Sequence, residues 1–243
     1  MNWDELKRAA AQAAVDQEVR SGMKVGLGSG STFTYALDAL GEALREGWLN
    51  DIIGVPSSEQ IAQRARDHGI PLVELHEVGE LDVSIDGADE IDPNLDLIKG
   101  LGGALLREKM IAQLTCRYVI IADESKLVPK LGVKAPLPVE VVPFGWQVHL
   151  PLMAELGAWA VRREEDGKPF VTDNGNYILD CHFNKETGIE DPAVLEWLLL
   201  ARAGIVDHGL FLGMTSIAYV SGEEGVRTLE REAEGGEGAK ELG

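Results

Sequence analysis

Within one stretch, Ser84–Lys109 (SIDGADEIDPNLDLIKGLGGALLREK), four of the ionisable side chains stand where proton chemistry would need them, at strand ends or on a helix face. Asp86 and Asp89 flank the small turn residues Gly87 and Ala88, and Lys99 precedes a glycine turn, Gly100–Gly103. Helical spacing follows from Ala104 to Leu114. On that wheel Glu108 falls between Ala104, Ile111 and Ala112, while Arg107, Lys109 and Gln113 point elsewhere. A carboxylate among apolar neighbours costs desolvation unless something uses it. Three acids and a lysine, delivered by two strand ends and one helix, predict proton chemistry on a small anion. Asp-Gly turns and glycine-rich helix entries also occur with no ligand, so the pattern needs support from the rest of the chain.

The elements that must position these groups lie on both sides. Leu81, Val83 and Ile85 alternate as in a half-buried strand running into Asp86, and Leu95–Ile98 is a second short apolar run. Upstream, Met23–Leu27 reads as a strand ending in Gly28-Ser29-Gly30-Ser31-Thr32, with a helix from Phe33 to Arg45 after it. Strand, glycine loop and helix start bind phosphate through free N–H groups and the helix dipole. A dinucleotide fingerprint would need a third glycine where Ser31 stands and an acid closing the next strand. That strand, Ile52–Val55, closes on Pro56-Ser57-Ser58 instead. The loop therefore reads as a site for a single phosphate and not for NAD; its plain alternative is a strand-to-helix turn with a serine cap.

A helix at Ser58–His68 and a short strand at Pro71–Leu75 continue the alternation. Tyr118–Ala122 is a continuous apolar run of the kind that makes a buried parallel strand, and it ends in Asp123-Glu124-Ser125-Lys126. Lys126 thus follows a strand's carboxyl end, the side on which open α/β sheets bind ligands. The character changes at Pro129. A strand-like Leu137–Val142 precedes a helix at Trp146–Leu156, alternating segments at Ala158–Arg163 and Phe170–Asp173, a strand at Tyr177–Phe183 and a helix at Ala193–Ala201. Gly204–Val220 returns as strands expected to rejoin the first sheet. The predicted architecture is α/β: a Rossmann-like, mostly parallel sheet with helices on both faces (1–131 and 205–233). A smaller α+β, ferredoxin-like domain (132–204) is inserted in it. The glycine- and glutamate-rich tail, 234–243, is expected to be disordered.

The chain has 243 residues, 45% of them apolar, enough for one large domain or two modest ones with proper cores. No apolar run approaches the roughly 18 residues of a membrane span, and the amphipathic N-terminus carries acids and no cleavage site. Cys116 and Cys181, the two cysteines, are far apart, which argues against a disulfide framework or a thiolate metal site. With 22 basic against 41 acidic residues the net charge is −19, a surface that repels nucleic acid and anionic membranes. Any phosphate site must be locally positive. The five histidines are scattered away from the strand-end loops, so no metal is expected. A cytoplasmic location is the default.

Six blocks in order carry a resemblance: GLGSGST at Gly26–Thr32, SIDGADEID at Ser84–Asp92, KGLGGALLREK at Lys99–Lys109, ADESK at Ala122–Lys126, PLPVEVVPFG at Pro136–Gly145 and VTDNGNYILD at Val171–Asp180. The chain resembles ribose-5-phosphate isomerase of the A type from end to end. One departure is Ser29, where the family usually has Thr; it keeps a hydroxyl. The resemblance implies cofactor-free interconversion of ribose 5-phosphate and ribulose 5-phosphate in the pentose phosphate pathway. It implies Glu108 as the base moving a proton between C1 and C2, and Lys99 as the cation facing the enediolate. Asp86 and Asp89 would hold sugar oxygens, Asp86 helping to open the ring. Ser31, Thr32 and Lys126 would hold the phosphate, with Lys7 a further contact. Ser29, Gly30, Gly87, Ala88, Gly100, Leu101 and Gly102 would line the substrate. A homodimer or dimer of dimers is implied as well. Two rival readings, a sugar-phosphate sensor and a nucleotide-dependent oxidoreductase, lack respectively a DNA-binding module and the ribose-binding acid.

Overall fold

The computed structural model describes residues 2–231 and 240–242. The chain begins with α1 (Trp3–Glu18), whose first turn is capped by the Asn2 side chain. Then come β1 (Lys24–Leu27), α2 (Gly30–Glu46), β2 (Ile53–Pro56), α3 (Glu59–Asp67), α4 (Leu75–Val78) and β3 (Leu81–Gly87). Two short strands, β4 (Glu90–Ile91) and β5 (Leu97–Ile98), lead to α5 (Leu105–Gln113) and β6 (Thr115–Asp123). The second half holds β7 (Leu137–Val141), α6 (Leu150–Glu155), β8 (Trp159–Arg162), the hairpin β9 (Glu164–Glu165) and β10 (Lys168–Pro169), β11 (Tyr177–His182), α7 (Pro192–Leu200) and β12 (Ile205–His208). It closes with β13 (Leu210–Phe211), β14 (Ile217–Gly222), β15 (Gly225–Glu230) and β16 (Lys240–Leu242).

Among the described residues the large sheet runs β16-β15-β14-β6-β3-β1-β2, with β14, β6, β3, β1 and β2 parallel and β15 and β16 antiparallel. β6 carries a continuous apolar run, Tyr118–Ala122, because both of its faces are covered. On β6, Val119 and Ile121 pack with α1 and α2, while Tyr118, Ile120 and Ala122 pack with Ala112 of α5 and Phe211 of β13. β1 has β2 on one side and β3 on the other, so the chain reverses direction across it. That reversal opens a crevice at the carboxyl ends of β1 and β3.

The smaller sheet is antiparallel, in the order β12-β7-β11-β8. With α6 and α7 it makes a β-α-β-β-α-β unit of ferredoxin-like order. Here the structure departs from the sequence reading. Ile205–His208 does not rejoin the large sheet; it pairs with Val139–Val141 as the unit's sixth element, and the return to the large sheet is made by β14.

Other expectations also change. Pro71–Leu75 makes a single bridge, Gly54 to Leu72, because a Glu74–Glu77 capping box starts α4 there. The helix expected over Trp146–Leu156 is a 3-10 turn followed by α6, which Pro151 opens in its first turn. Phe170–Asp173 leads into a turn in which Thr172, Asn174 and Asn176 all donate to Glu140 Oε1. Of the expected disordered tail, 240–242 pairs with β15; 234–239 and 243 lie outside the described residues. No helix among the described residues is long and apolar enough to cross a membrane.

Candidate active site

β1 can end against β3 because residue 28 has no side chain. A Cβ on Gly28 would stand 2.6 Å from the Asp86 Cα. The chain then turns through Ser29 and enters α2 at Gly30, whose φ of 84° suits glycine. Ser29 occupies the cap position of α2, yet its hydroxyl does not cap the helix; it donates to Glu108 Oε1. The first-turn N–H groups, including those of Ser31 and Thr32, have no acceptor within the helix, and they carry the positive end of its dipole. Lys7 of α1 donates to the Ser31 hydroxyl at 3.2 Å. Lys126 arrives from the single turn after β6, where Asp123 accepts from Ser125 N–H at 3.0 Å.

One cavity gathers most of the residues singled out from the sequence. Ser29, Gly30, Ser31 and Thr32 form one wall; Gly87, Ala88 and Asp89 form a second. Lys99, Gly100 and Gly102 form a third, with Glu108 and Lys126 also exposed to it. Asp86 lies beneath this cavity, 2% exposed, and does not line it. The Leu101 side chain is exposed and stays outside; its contribution is a backbone N–H to Asp89 Oδ2 at 3.0 Å.

Lys99 is the electrostatic centre. Its ammonium stands 3.0 Å from Asp86 Oδ2 and 3.4 Å from Glu108 Oε1, and donates to the Gly87 carbonyl at 2.5 Å. Burial pushes the proton off Lys99, but Asp86 and Glu108 outweigh it, so its affinity ends above the ordinary lysine value. Glu108 is 4% exposed. Burial and the nearby Asp86 charge raise its pKa to about 7 against the opposing pull of Lys99. Its Oε1 is held by Ser29 and Lys99, and its Oε2 has no partner among the described residues. A buried carboxylate oxygen without a donor, on a group half ionised near neutrality, is suited to taking a proton from a ligand. Burial likewise raises Asp89, partly offset by Leu101 N–H and Lys99.

Side chains that the sequence reading passed over complete the surroundings. Lys109, expected to point away from the core, is 4% exposed and donates to Asp207 Oδ1 at 2.5 Å and the His208 carbonyl at 2.6 Å. β12 covers that face of α5, which no periodicity within α5 reveals. Arg163 reaches from the small sheet to the carbonyls of Gly100 and Leu101, both at 3.0 Å. Tyr118, read as one more apolar strand residue, donates its hydroxyl to Asp86 Oδ2 at 3.1 Å. Its one signal was a phenol at the head of a buried aliphatic run.

The family model for ribose 5-phosphate isomerase A (phosphoriboisomerase A) matches residues 53–225. A ribose-5-phosphate isomerase A from Chloroflexus aurantiacus is 53% identical over 224 residues, 92% of either chain. One from Roseiflexus castenholzii is 51% identical over 225 residues, covering 92% of this chain and 94% of its own. Among solved structures, a D-ribose-5-phosphate isomerase in complex with phospho-erythronic acid superposes with a TM-score of 0.91 at 41% identity, over 95% of this chain and all (100%) of the other. Ribose 5-phosphate isomerase from Plasmodium falciparum gives 0.91 at 40%, with the same coverage of 95% and 100%. By sequence and by structure, the chain belongs to the ribose 5-phosphate isomerase A family.

Proposed function

We propose that this enzyme interconverts D-ribose 5-phosphate and D-ribulose 5-phosphate by proton transfer through an enediolate, with Glu108 as the base. The family carries the reaction; the residue roles are our reading of the cavity. The observation that carries them is the unpartnered, buried Oε2 of Glu108 beside a lysine ammonium that already faces two carboxylates. The phosphate is held by the first-turn N–H groups of α2, the hydroxyls of Ser31 and Thr32, Lys126 and Lys7, where several cations offset an acidic surface. Anchoring that remote group orients C1 and C2 against Glu108. In the open-chain aldose the C2–H bond breaks as Glu108 takes the proton, and the electron pair becomes the enediolate. Glu108 returns the proton to C1, and the O2 hydroxyl proton passes to O1. Lys99 stands where negative charge develops, fixed before the reaction starts. Asp89 accepts from a sugar hydroxyl. Asp86, whose oxygens already hold four donors, acts through Lys99 rather than on the sugar. A solved relative holds phospho-erythronic acid, whose carboxylate carries the planar delocalised charge of an enediolate.

The test is to add ribose 5-phosphate to purified protein and follow the ketose. Glu108→Gln keeps shape and removes the base, so turnover should fall at least ~10²- to 10⁴-fold with binding largely kept; near-normal turnover would refute the assignment. The ammonium of Lys99 also occupies the place a divalent ion would need between Asp86 and Glu108. Full activity is therefore expected in EDTA, with solvent deuterium entering C1 or C2. Activity abolished by EDTA and restored by a divalent ion would sink the enediolate route.

Further parts of this reading are a cytoplasmic location, a place in the non-oxidative pentose phosphate pathway, and a homodimer or dimer of dimers. Free Cys116 and Cys181 support a reducing compartment. The exposed Phe144, Trp159 and Trp197 of the small domain support assembly through it. Light scattering at working concentration tests the oligomer, and a monomer would refute it. The division into a catalytic domain and a smaller inserted one is likewise proposed, with β12 assigned to the smaller.

A further inference from the structure

Every acceptor position of Asp86 is spoken for. Oδ1 receives the N–H groups of Ser29 at 3.1 Å and Gly87 at 2.8 Å. Oδ2 receives the Lys99 ammonium at 3.0 Å and the Tyr118 hydroxyl at 3.1 Å. The first three donors belong to the backbone around the cavity or to Lys99. The fourth comes from β6, from a residue whose packing does not need it. The Tyr118 ring is 2% exposed and stacks against Phe211 at 6.5 Å, among Ile120, Ala122 and Val220. A phenylalanine would fill that space equally well. Burying a hydroxyl there costs free energy unless it is partnered, and Asp86 is its partner. Burial and the Asp86 charge push the phenol's proton affinity well above its ordinary value, so it remains a donor throughout the working range.

We propose that Tyr118 is a positioning residue for the isomerase reaction: its hydroxyl fixes the second oxygen of Asp86, and thereby sets where Lys99 stands and how much of the Asp86 charge reaches Glu108. The inference rests on the reading of Glu108 as base and Lys99 as counter-charge. Ionisable groups face Glu108 from several elements: Asp86 at the end of β3, Asp89 just after it, Lys99 after β5 and Tyr118 on β6. Ser29, from the cap of α2, is its uncharged neighbour. Without the phenol, Lys99 is the only remaining donor to Asp86 Oδ2 among the described residues. The ammonium is then drawn towards Asp86 and away from the reacting oxygens. The less screened Asp86 charge makes Glu108 hold its proton to higher pH.

Tyr118→Phe tests this, with Tyr219→Phe as the control. Tyr219 is also a buried tyrosine of the large sheet, but its hydroxyl bonds to Glu18 at 2.7 Å on the opposite face. Turnover and KM are measured from pH 5 to 9 for both, beside wild type and Glu108→Gln. For Tyr118→Phe the acid limb of kcat/KM is expected to move up by about half a pH unit or more. Its kcat should fall about ten-fold, with KM changed by less than about two-fold; Tyr219→Phe should leave the limb in place. An unmoved limb and unchanged kcat in Tyr118→Phe, or equal displacement in both variants, would overturn the proposal. Wild-type turnover in Glu108→Gln would overturn it differently, by removing the base on which it rests, and the Tyr118 comparison alone cannot produce that result.

Discussion

At the scale of single residues, the proposed chemistry depends on one carboxyl group held away from its ordinary state. Glu108 ionises near pH 7 because burial and Asp86 disfavour its charge more than Lys99 favours it. As the proposed base it would act when ionised, so kcat/KM should fall as pH drops below about 7, and a pH–rate profile checks this. The same shift acts on stability. The folded pKa lies above the unfolded one, so the native state binds the proton more tightly. The group's favourable contribution is complete below the unfolded value near 4.5 and is lost as pH rises to about 7. Glu108→Gln should therefore gain on wild type in melting temperature across that window, and a gap that narrows with pH would contradict the assignment. Asp86, Asp89, Lys99 and Glu108 were legible in the sequence because each departs from its local pattern. Asp86 and Asp89 follow an apolar strand, and Glu108 sits on an apolar helix face. Lys109 was not legible. A helical wheel assigns a lysine to solvent, and only the Asp207 and His208 carbonyl acceptors of β12 make burial there tolerable.

At the scale of elements, the least substantial segment does the most precise work. The turn Gly100–Gly103 has little side-chain mass of its own, yet it separates Lys99 from the helix that carries Glu108. It is held from outside: Asp89 accepts from Leu101 N–H, and Arg163 donates to the Gly100 and Leu101 carbonyls. Arg163 is itself fixed by a two-pronged pairing with Asp180, at 3.0 Å through Nε. Arg163→Ala should raise KM by about ten-fold, a fraction of what two charge-assisted hydrogen bonds are worth, with a smaller fall in kcat. Arg163→Lys should not restore it, because a compact ammonium lacks the planar fork whose Nε and Nη2 reach Asp180 while Nη1 reaches the two carbonyls. Steady-state kinetics decide this; an unchanged KM in Arg163→Ala would mean that the turn holds itself, and an unchanged KM in Arg163→Lys alone that an ammonium suffices. None of this could be read from the sequence, since the partners lie 62 and 63 residues apart. β6 was plain because burial on both faces makes Tyr118–Ala122 a continuous apolar run, and β3 was plain from the alternation of Leu81, Val83 and Ile85. β8 was harder: its Trp159 is 72% exposed, so alternation there marks a sheet edge facing outward. β12 was misplaced because a short strand carries no mark of which sheet it joins.

At the scale of the whole molecule, an enzyme of net charge −19 must admit a substrate that is itself an anion. Lys99 and Lys126 supply positive charge in the cavity, with Lys7 behind the Ser31 hydroxyl, but their influence is local, whereas the net charge of the acidic surface is felt over tens of ångströms. Salt separates the two. At about 10 mM ionic strength the screening length is roughly 30 Å, and an approaching sugar phosphate feels the whole negative surface. At about 100 mM it shrinks to roughly 10 Å, which removes most of the distant repulsion and leaves attraction at the proposed phosphate anchor, the α2 N-terminus, largely intact. Raising salt across that range should therefore increase kcat/KM, and the gain should appear in KM rather than kcat because the chemical step is shielded. It should raise the melting temperature as well, since self-repulsion opposes the compact state. Ion-specific binding of phosphate or sulfate would compete at the anchor, so the titration is done with chloride. A kcat/KM that falls steadily with chloride would mean that the local cations already dominate at long range, and that the acidic surface has no part in substrate capture.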